Sequence, residues 1–361
     1  MANSNAATRH ALQQEAALPK RLGYMPELDG LRALAVGAVL FHHFVAEGMW
    51  GPAGVHLFFV ISGFLITGII LNARDRQECQ QAPWWHPARQ FYIRRFLRIF
   101  PLYYFVLVVA VLANVPGTRQ EAWWLFGYAY NVRAALTGQW TSHFSHFWSL
   151  AVEEQFYLLW PWVPLFAPRR WLQFVTLAMI AAGPIYRALA IASGANELAA
   201  AVLTPACLDS LGLGALLAVR NSGTNTQTWR PGKIFITTAV LLRLSHVVLP
   251  DMPSLLPLRW AYVSLAESMI FTWLVGKAAA GRLWPFFSRR FLVRTGKISY
   301  GIYVYHNFVP ELLSTGIKAA SLPAPLILIR LLSWPATFLI ASVSWKYFEG
   351  PLNALKDRFR D

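Results

Sequence analysis

The sequence predicts an all-α, polytopic membrane protein with about ten transmembrane helices. Of its 361 residues, 56% are hydrophobic and only 14% are charged, whereas a typical soluble domain has roughly 25% charged residues. The mean hydropathy is positive, at +0.40. Apolar segments of about 20 residues, the length that crosses a bilayer, recur along the chain. Together these observations exclude an ordinary soluble domain.

Ten apolar segments are predicted to span the membrane. Between the third and fourth, the region 116–146 contains only a short apolar run around Trp123, so we expect an interfacial or re-entrant piece there. The membrane domain is predicted over 28–348, with cytoplasmic tails at 1–27 and 349–361. The predicted spans are 28–48, 53–72, 99–115, 147–166, 171–192, 198–219, 234–250, 258–276, 298–316 and 325–348.

The formal net charge is +15, but the placement of the basic residues indicates membrane topology and not a nucleic-acid partner. With a cytoplasmic N-terminus, the loops and tails on the cytoplasmic side hold 23 of the 32 Lys and Arg residues, and the opposite loops hold four. This asymmetry follows the positive-inside rule with both termini in the cytoplasm. No cleavable signal peptide is expected, and Cys79 and Cys207 are not expected to form a disulfide.

The first predicted span carries an unusual set of polar residues. A charge near the centre of a bilayer costs roughly 2.5–3.5 kcal/mol, so such residues usually have a function. At about 100° per residue, Arg32 and His43 lie about 20° apart around the helix, and Asp29 lies about 40° from His43. His42 points about 80° away from Arg32. This polar face predicts a site with His43 at its far end.

Acidic residues are rare in the spans, and two of them, Glu153 and Glu154, are adjacent. At a rise of about 1.5 Å per residue, Glu153 and His43 are both predicted about 22 Å above the inner face. A carboxylate that orients an imidazole is a common general-base arrangement. We therefore predict that His43, Arg32 and the two glutamates form a catalytic group. The alternative is that each side chain only forms a hydrogen bond that stabilises helix packing.

Ser299, Tyr303 and His306 are spaced to share one helix face in the ninth span. They are candidates for substrate binding, together with Asp29, although interhelical hydrogen bonding would explain the same pattern. His56 and Ser62 in the second span are further, weaker candidates.

Arg95 and Arg98 are predicted to lie at the end of a basic loop, directly before the third span. Their spacing allows both guanidinium groups to face one anion at the membrane surface, and arginine suits phosphates because its planar fork binds them in a bidentate manner. We predict that this pair binds the phosphates of a nucleotide-like cofactor. The sequence has no phosphate loop, no His-Glu-x-x-His motif and no Cys-x-x-Cys pair, so no metal is expected.

Five blocks of the sequence resemble the integral-membrane acyltransferase family 3, the O-antigen and peptidoglycan acetylase type. The family pattern Arg-x10-His falls on Arg32 and His43, and its Arg-x-x-Arg motif falls on Arg95 and Arg98. Longer members carry a fused extracytoplasmic SGNH hydrolase-like domain, which is not expected here. The matching blocks are 26–35 with His43, 54–67, 94–104, 146–161 and 299–306.

The resemblance implies ten spans and transfer of an acyl group, commonly acetyl, from cytoplasmic acyl-CoA to a hydroxyl of a carbohydrate or other acceptor. The expected partners are acyl-CoA, a glycan, glycolipid or small hydroxylated acceptor, and the lipid of the bacterial cytoplasmic membrane. A proton-coupled secondary transporter would explain buried His, Glu and Arg residues, but the inverted repeats expected of such a transporter are not detectable. A purely structural or lipid-binding membrane protein would leave the Arg32 and His43 face unexplained.

Overall fold

A computed structural model describes residues 23–48, 50–81, 83–141, 143–222, 231–248, 253–323 and 325–359. Over these ranges the chain forms helices and no β-strand, which confirms the predicted all-α class. The helices of the first half are α1 (Pro26–Phe44), α2 (Trp50–Gln80), α3 (Trp85–Leu112), α4 (Ala122–Phe126), α5 (Tyr130–Thr137), α6 (Phe147–Leu159), α7 (Trp162–Phe166) and α8 (Arg169–Ala192).

The second half is also helical and contains most of the short 3₁₀ and π turns. Its α-helices are α9 (Glu197–Val202), α10 (Leu208–Asn221), α11 (Lys233–Val248), α12 (Leu256–Ala279), α13 (Arg290–Lys297), α14 (Ser299–Tyr305), α15 (Val309–Ala319), α16 (Leu326–Ser344) and α17 (Gly350–Ala354). A π turn, Trp345–Glu349, joins α16 to α17, and 3₁₀ turns lie at Thr204–Cys207, Pro253–Leu255, Pro285–Ser288 and Leu355–Phe359.

Within the described ranges, four helices are long and apolar enough to cross a membrane: α2, α3, α8 and the continuous helix Leu326–Ala354. The predicted total of ten crossings and the cytoplasmic position of both termini remain predictions. Parts of the predicted tails, residues 1–22 and 360–361, lie outside the described residues.

Several predicted spans are divided in the structure, and prolines account for the breaks. The span predicted at 298–316 forms α14 and α15, which are separated at His306 because the ring of Pro310 is incompatible with the carbonyl four residues earlier. Pro161 similarly lies between α6 and α7, and Pro205 lies in the 3₁₀ turn between α9 and α10. His306 therefore lies at the end of a short helix and not within a long one.

Close helix crossings hold α1 and α2 in place. A Cβ atom at Gly63 of α2 would lie 2.0 Å from the carbonyl oxygen of Leu211 in α10. A Cβ atom at Gly296 of α13 would lie 1.9 Å from the carbonyl oxygen of Asp29 in α1. Only glycine permits these backbone approaches, which are typical of helix packing in membranes.

The region 116–146 contains the short helices α4 and α5, of five and eight residues, and neither is long enough to span a bilayer. Trp123 is 89% exposed, while the hydroxyl of Tyr103 donates to the carbonyl of Leu125 at 2.8 Å and holds α4 against α3. Its interfacial or re-entrant placement remains a prediction. Cys79 and Cys207 are both free, as predicted.

Candidate active site

Two cavities lie along α1, one near each end of the polar face. The arginine cavity, with Arg32 on its wall, has a volume of about 80 Å³. The histidine cavity, with His43 on its wall, has a volume of about 880 Å³. Val55 and Tyr303 line both cavities, so these two side chains form the wall between them.

The arginine cavity gathers most of the predicted site residues from five helices. Three guanidinium groups and two carboxyl groups face this small volume. It is lined by Arg32, Val55, Phe58, Phe59, Ser62, Leu65, Arg95, Arg98, Ile99, Ser149, Leu150, Glu153, Glu154, Tyr157, Ser299, Tyr300 and Tyr303.

Arg32 is held in place by Asp29. Its guanidinium donates to Asp29 Oδ1 at 3.0 Å, and the Tyr24 hydroxyl donates to Asp29 Oδ2 at 2.8 Å. Asp29 is buried and lines neither cavity. Its predicted role in substrate binding is therefore not supported; the carboxylate orients Arg32.

The prediction that Arg95 and Arg98 lie at the end of a surface loop is wrong. The helix α3 begins at Trp85, so both residues lie inside it, on the wall of the arginine cavity. Residues three apart share a helix face, as the sequence predicted. The Arg95 guanidinium lies over the ring of Tyr157, 5.2 Å from its centroid.

The expected pairing of Glu153 with His43 is also not found. The Ser62 and Tyr157 hydroxyls each donate to Glu153 at 3.0 Å, and both glutamates line the arginine cavity. Glu153 and His43 do not lie at the same depth, because α1 ends at Phe44 and His43 lies in its last turn. His146, at the start of α6, lies at the level of His43, which leaves Glu153 about 10 Å further along that helix.

The ring of His43 contacts two imidazoles, those of His42 and His306, each with its ring centroid 4.9 Å away. His306 is fully buried, and its ring in turn lies 4.7 Å from that of His146. Sequence reasoning singled out His306 but missed His146, which begins the block 146–161, and Asn307. These residues come from α1 and from the ends of α6 and α14.

The hydrogen bonds fix how the two buried imidazoles present their nitrogens. Because a carbonyl oxygen only accepts, His306 Nδ1 donates to the Tyr303 carbonyl at 2.6 Å and His146 Nε2 donates to the Val304 carbonyl at 3.1 Å. The Asn307 amide donates to His146 Nδ1 at 3.0 Å. His306 Nε2 is buried and forms no hydrogen bond within the described residues, so its lone pair is unsatisfied beside His43.

Ser299 and Tyr303 occupy different positions from His306 along this face. The Tyr303 hydroxyl contacts the Ser149 hydroxyl at 2.5 Å and donates to the His146 carbonyl at 3.0 Å. The Ser299 hydroxyl donates to the Gly296 carbonyl at 2.8 Å. Both residues line the arginine cavity, whereas His306 lines neither cavity.

The histidine cavity has the volume of a site for a sizeable small molecule. His42 also lines it, but His42 Nδ1 accepts a hydrogen bond from the backbone N–H of Gly48 at 3.0 Å, which gives that ring a structural role. The polar and aromatic residues of the wall are His42, His43, Glu47, His56, Trp140, Ser145, His146, Trp148, Arg187, Arg243, Arg259, Trp260, Ser264, Glu267, Tyr303 and Asn307.

Among the residues that the structure describes, no group of three or more His, Cys, Asp or Glu side chains could hold a metal ion.

Comparisons with known proteins agree with the resemblance noted in the sequence. The model of a family described as an acyltransferase domain matches residues 25–346. The peptidoglycan O-acetyltransferase OatA of Listeria monocytogenes is 29% identical over 91% of this chain and 56% of its own length. The O-acetyltransferase OatA of Staphylococcus aureus is 25% identical over 91% of this chain and 57% of its own length. The chain thus spans just over half the length of these relatives, and no solved structure matches it.

Proposed function

The chain belongs to the integral-membrane acyltransferase family 3, and from this membership we propose that it transfers an acetyl group from acetyl-CoA to a hydroxyl of a carbohydrate acceptor. Family membership makes it a multi-pass membrane protein. Bacterial relatives of the O-acetyltransferase type support the bacterial cytoplasmic membrane as its location.

The observation that carries the proposal is the pair of cavities with a common wall. The arginine cavity presents Arg32, Arg95 and Arg98, and the histidine cavity presents His43. Since Val55 and Tyr303 separate them, an acyl group that passes this wall moves from the arginine side to His43. Two substrates can therefore meet without sharing an entrance.

The arginine cavity suits the reactive end of the donor. Its volume of about 80 Å³ is much smaller than the 880 Å³ of the histidine cavity, which suits the small acyl end of the donor. The phosphates of CoA then bind towards Arg95 and Arg98, which line this cavity. Arg32, oriented by Asp29, anchors the donor, since it lies eleven residues, about 16 Å, from His43 along α1.

His43 performs the transfer at the wall of the histidine cavity. As a general base it takes the proton of the acceptor hydroxyl while the hydroxyl oxygen attacks the thioester carbon. The new C–O bond forms, the C–S bond breaks, and the proton is delivered to the departing thiolate. The alternative in which His43 first takes the acetyl group itself uses the same geometry. His306, with its unsatisfied Nε2 beside His43, supports the imidazole in either route.

The purified protein in proteoliposomes tests the proposal directly. With acetyl-CoA and tri-N-acetylchitotriose present, free CoA thiol and the O-acetylated sugar should appear in equal amounts. A protein that binds both compounds but releases no thiol, as a transporter would, contradicts the proposed function.

A further inference from the structure

The wall of the histidine cavity contains a further imidazole, that of His56, which the transfer step does not use. His56 of α2 lies next to Val55, the residue that separates the two cavities, and it lines the histidine cavity. His56 Nδ1 lies 3.0 Å from Glu267 Oε2 of α12. This is the carboxylate–imidazole pair that the sequence led us to expect at His43.

Glu267 is held from two sides. Its second oxygen, Oε1, accepts from Arg243 Nε of α11 at 3.1 Å. We call His56, Glu267 and Arg243 the cavity triad; its side chains are only 10–16% exposed. A buried ion pair adds little net stability, because desolvation offsets much of its attraction. All three members of the triad face the cavity, where a ligand can reach them.

The hydrogen bonds leave the triad with capacity for a ligand. Because the ionised carboxylate only accepts, His56 Nδ1 carries the proton, and His56 Nε2 is then an acceptor that makes no hydrogen bond within the described residues. The two Glu267 oxygens also retain free lone pairs. Three indole side chains, Trp140, Trp148 and Trp260, line the same cavity, as in sites that combine aromatic surface with a few placed polar groups.

We propose that the cavity triad binds a second hydroxyl group of the acceptor, distinct from the hydroxyl that is acetylated, so that the acceptor class is a polyhydroxylated ring held at two points. His56 Nε2 accepts from this hydroxyl, and the indole rings pack against the apolar face of the ring. His56 and His43 both line the histidine cavity, so a ring that spans this cavity contacts His56 through one hydroxyl and His43 through another. This inference rests on the proposed function.

Substitutions at His56 separate ligand binding from structure. His56→Asn keeps a donor near the Nδ1 position, and hence the contact with Glu267, but removes Nε2; His56→Gln places an amide near the Nε2 position. His143→Asn is the matched control, because His143 also pairs with a carboxylate, that of Glu311 at 3.5 Å, and lines neither cavity.

The full chain in proteoliposomes is assayed with acetyl-CoA and two acceptors, tri-N-acetylchitotriose and ethanol, which has one hydroxyl. We expect His56→Asn and Glu267→Gln to raise the KM for the sugar about tenfold or more, with kcat and the ethanol kcat/KM near wild type. His56→Gln should recover part of the loss, and His143→Asn should match wild type.

An unchanged sugar KM in His56→Asn, or equal losses with sugar and ethanol, would overturn the two-point binding. A wild-type protein that uses the sugar no better than ethanol overturns it as well. If the wild type releases CoA thiol with neither acceptor, the proposed function itself fails, and that result is distinguishable from the others.

Discussion

Two adjacent histidines at the end of α1 face the same cavity but have different partners. His43 contacts His306, whereas His42 accepts from the backbone of Gly48. The chemistry assigned to this site therefore depends on one ring and not on its neighbour.

Replacing each ring separately tests this difference. His43→Ala should lower transfer by about a hundredfold to ten-thousandfold, the usual contribution of a general base, while His42→Ala should cause a milder loss. Release of CoA thiol, normalised to folded protein in the membrane, measures both. Equal losses in two normally folded variants would contradict the assignment.

A substitution of His306 tests whether this ring contributes to the transfer step. His306→Asn keeps a donor for the Tyr303 carbonyl but lacks the nitrogen at the Nε2 position. The imidazole of His43 then loses its contact with His306 and keeps its contact with His42. We expect kcat to fall about tenfold or more while the KM for acetyl-CoA stays the same. A wild-type kcat would show that His306 only fills space.

At the scale of elements, α3 carries the donor arginines on one face. Replacing Arg95 and Arg98 together with Ala should raise the KM for acetyl-CoA about a hundredfold or more, because each charge-assisted hydrogen bond contributes about 1.5–3 kcal/mol. Lysine at either position should restore only part of the affinity for acetyl-CoA, since a point charge replaces the planar fork of the guanidinium group. Unchanged affinity of the double Ala variant in a binding measurement at fixed salt would reject the phosphate role.

The crossing of α2 and α10 supports the cavity wall, because α2 also carries Val55 and His56. Gly63→Ala places a Cβ atom against the carbonyl of Leu211 and should destabilise the protein by about 1–3 kcal/mol. Gly37→Ala in α1 is the control, since nothing lies within 4 Å of its Cβ position. Thermal unfolding in detergent should show a lower Tm for the first variant only; equal Tm values would disprove the tight crossing.

Helical geometry explains which parts of the site the sequence could predict. Arg32 and His43 belong to one helix, and so do Arg95 and Arg98, so spacing alone assigns their common faces. The pair of His56 and Glu267, 211 residues apart, depends on the packing of α2 against α12, which no local pattern encodes. The depth of Glu153 relative to His43 could not be predicted for another reason. A shift of a few residues in where a helix ends moves a side chain by several ångströms along the helix axis.

At the scale of the whole molecule, the two cavities lie one beyond the other along α1 and are divided by Val55 and Tyr303. By the predicted topology, basic cytoplasmic segments precede α1 and α3, the helices that carry Arg32 and the arginine pair. The end of α1 with His43 lies towards the opposite face by the same topology. We therefore expect donor and acceptor to reach the wall formed by Val55 and Tyr303 from opposite sides of the membrane.

Transfer in sealed vesicles of known orientation tests from which side of the membrane each substrate enters. Acetyl-CoA and tri-N-acetylchitotriose, neither of which crosses a bilayer, are supplied to one face or the other. We expect O-acetylated sugar only when acetyl-CoA is at the cytoplasmic face and the sugar is at the outer face. Acetylation of sugar supplied at the cytoplasmic face alone would contradict it and would place the chemistry at the inner surface.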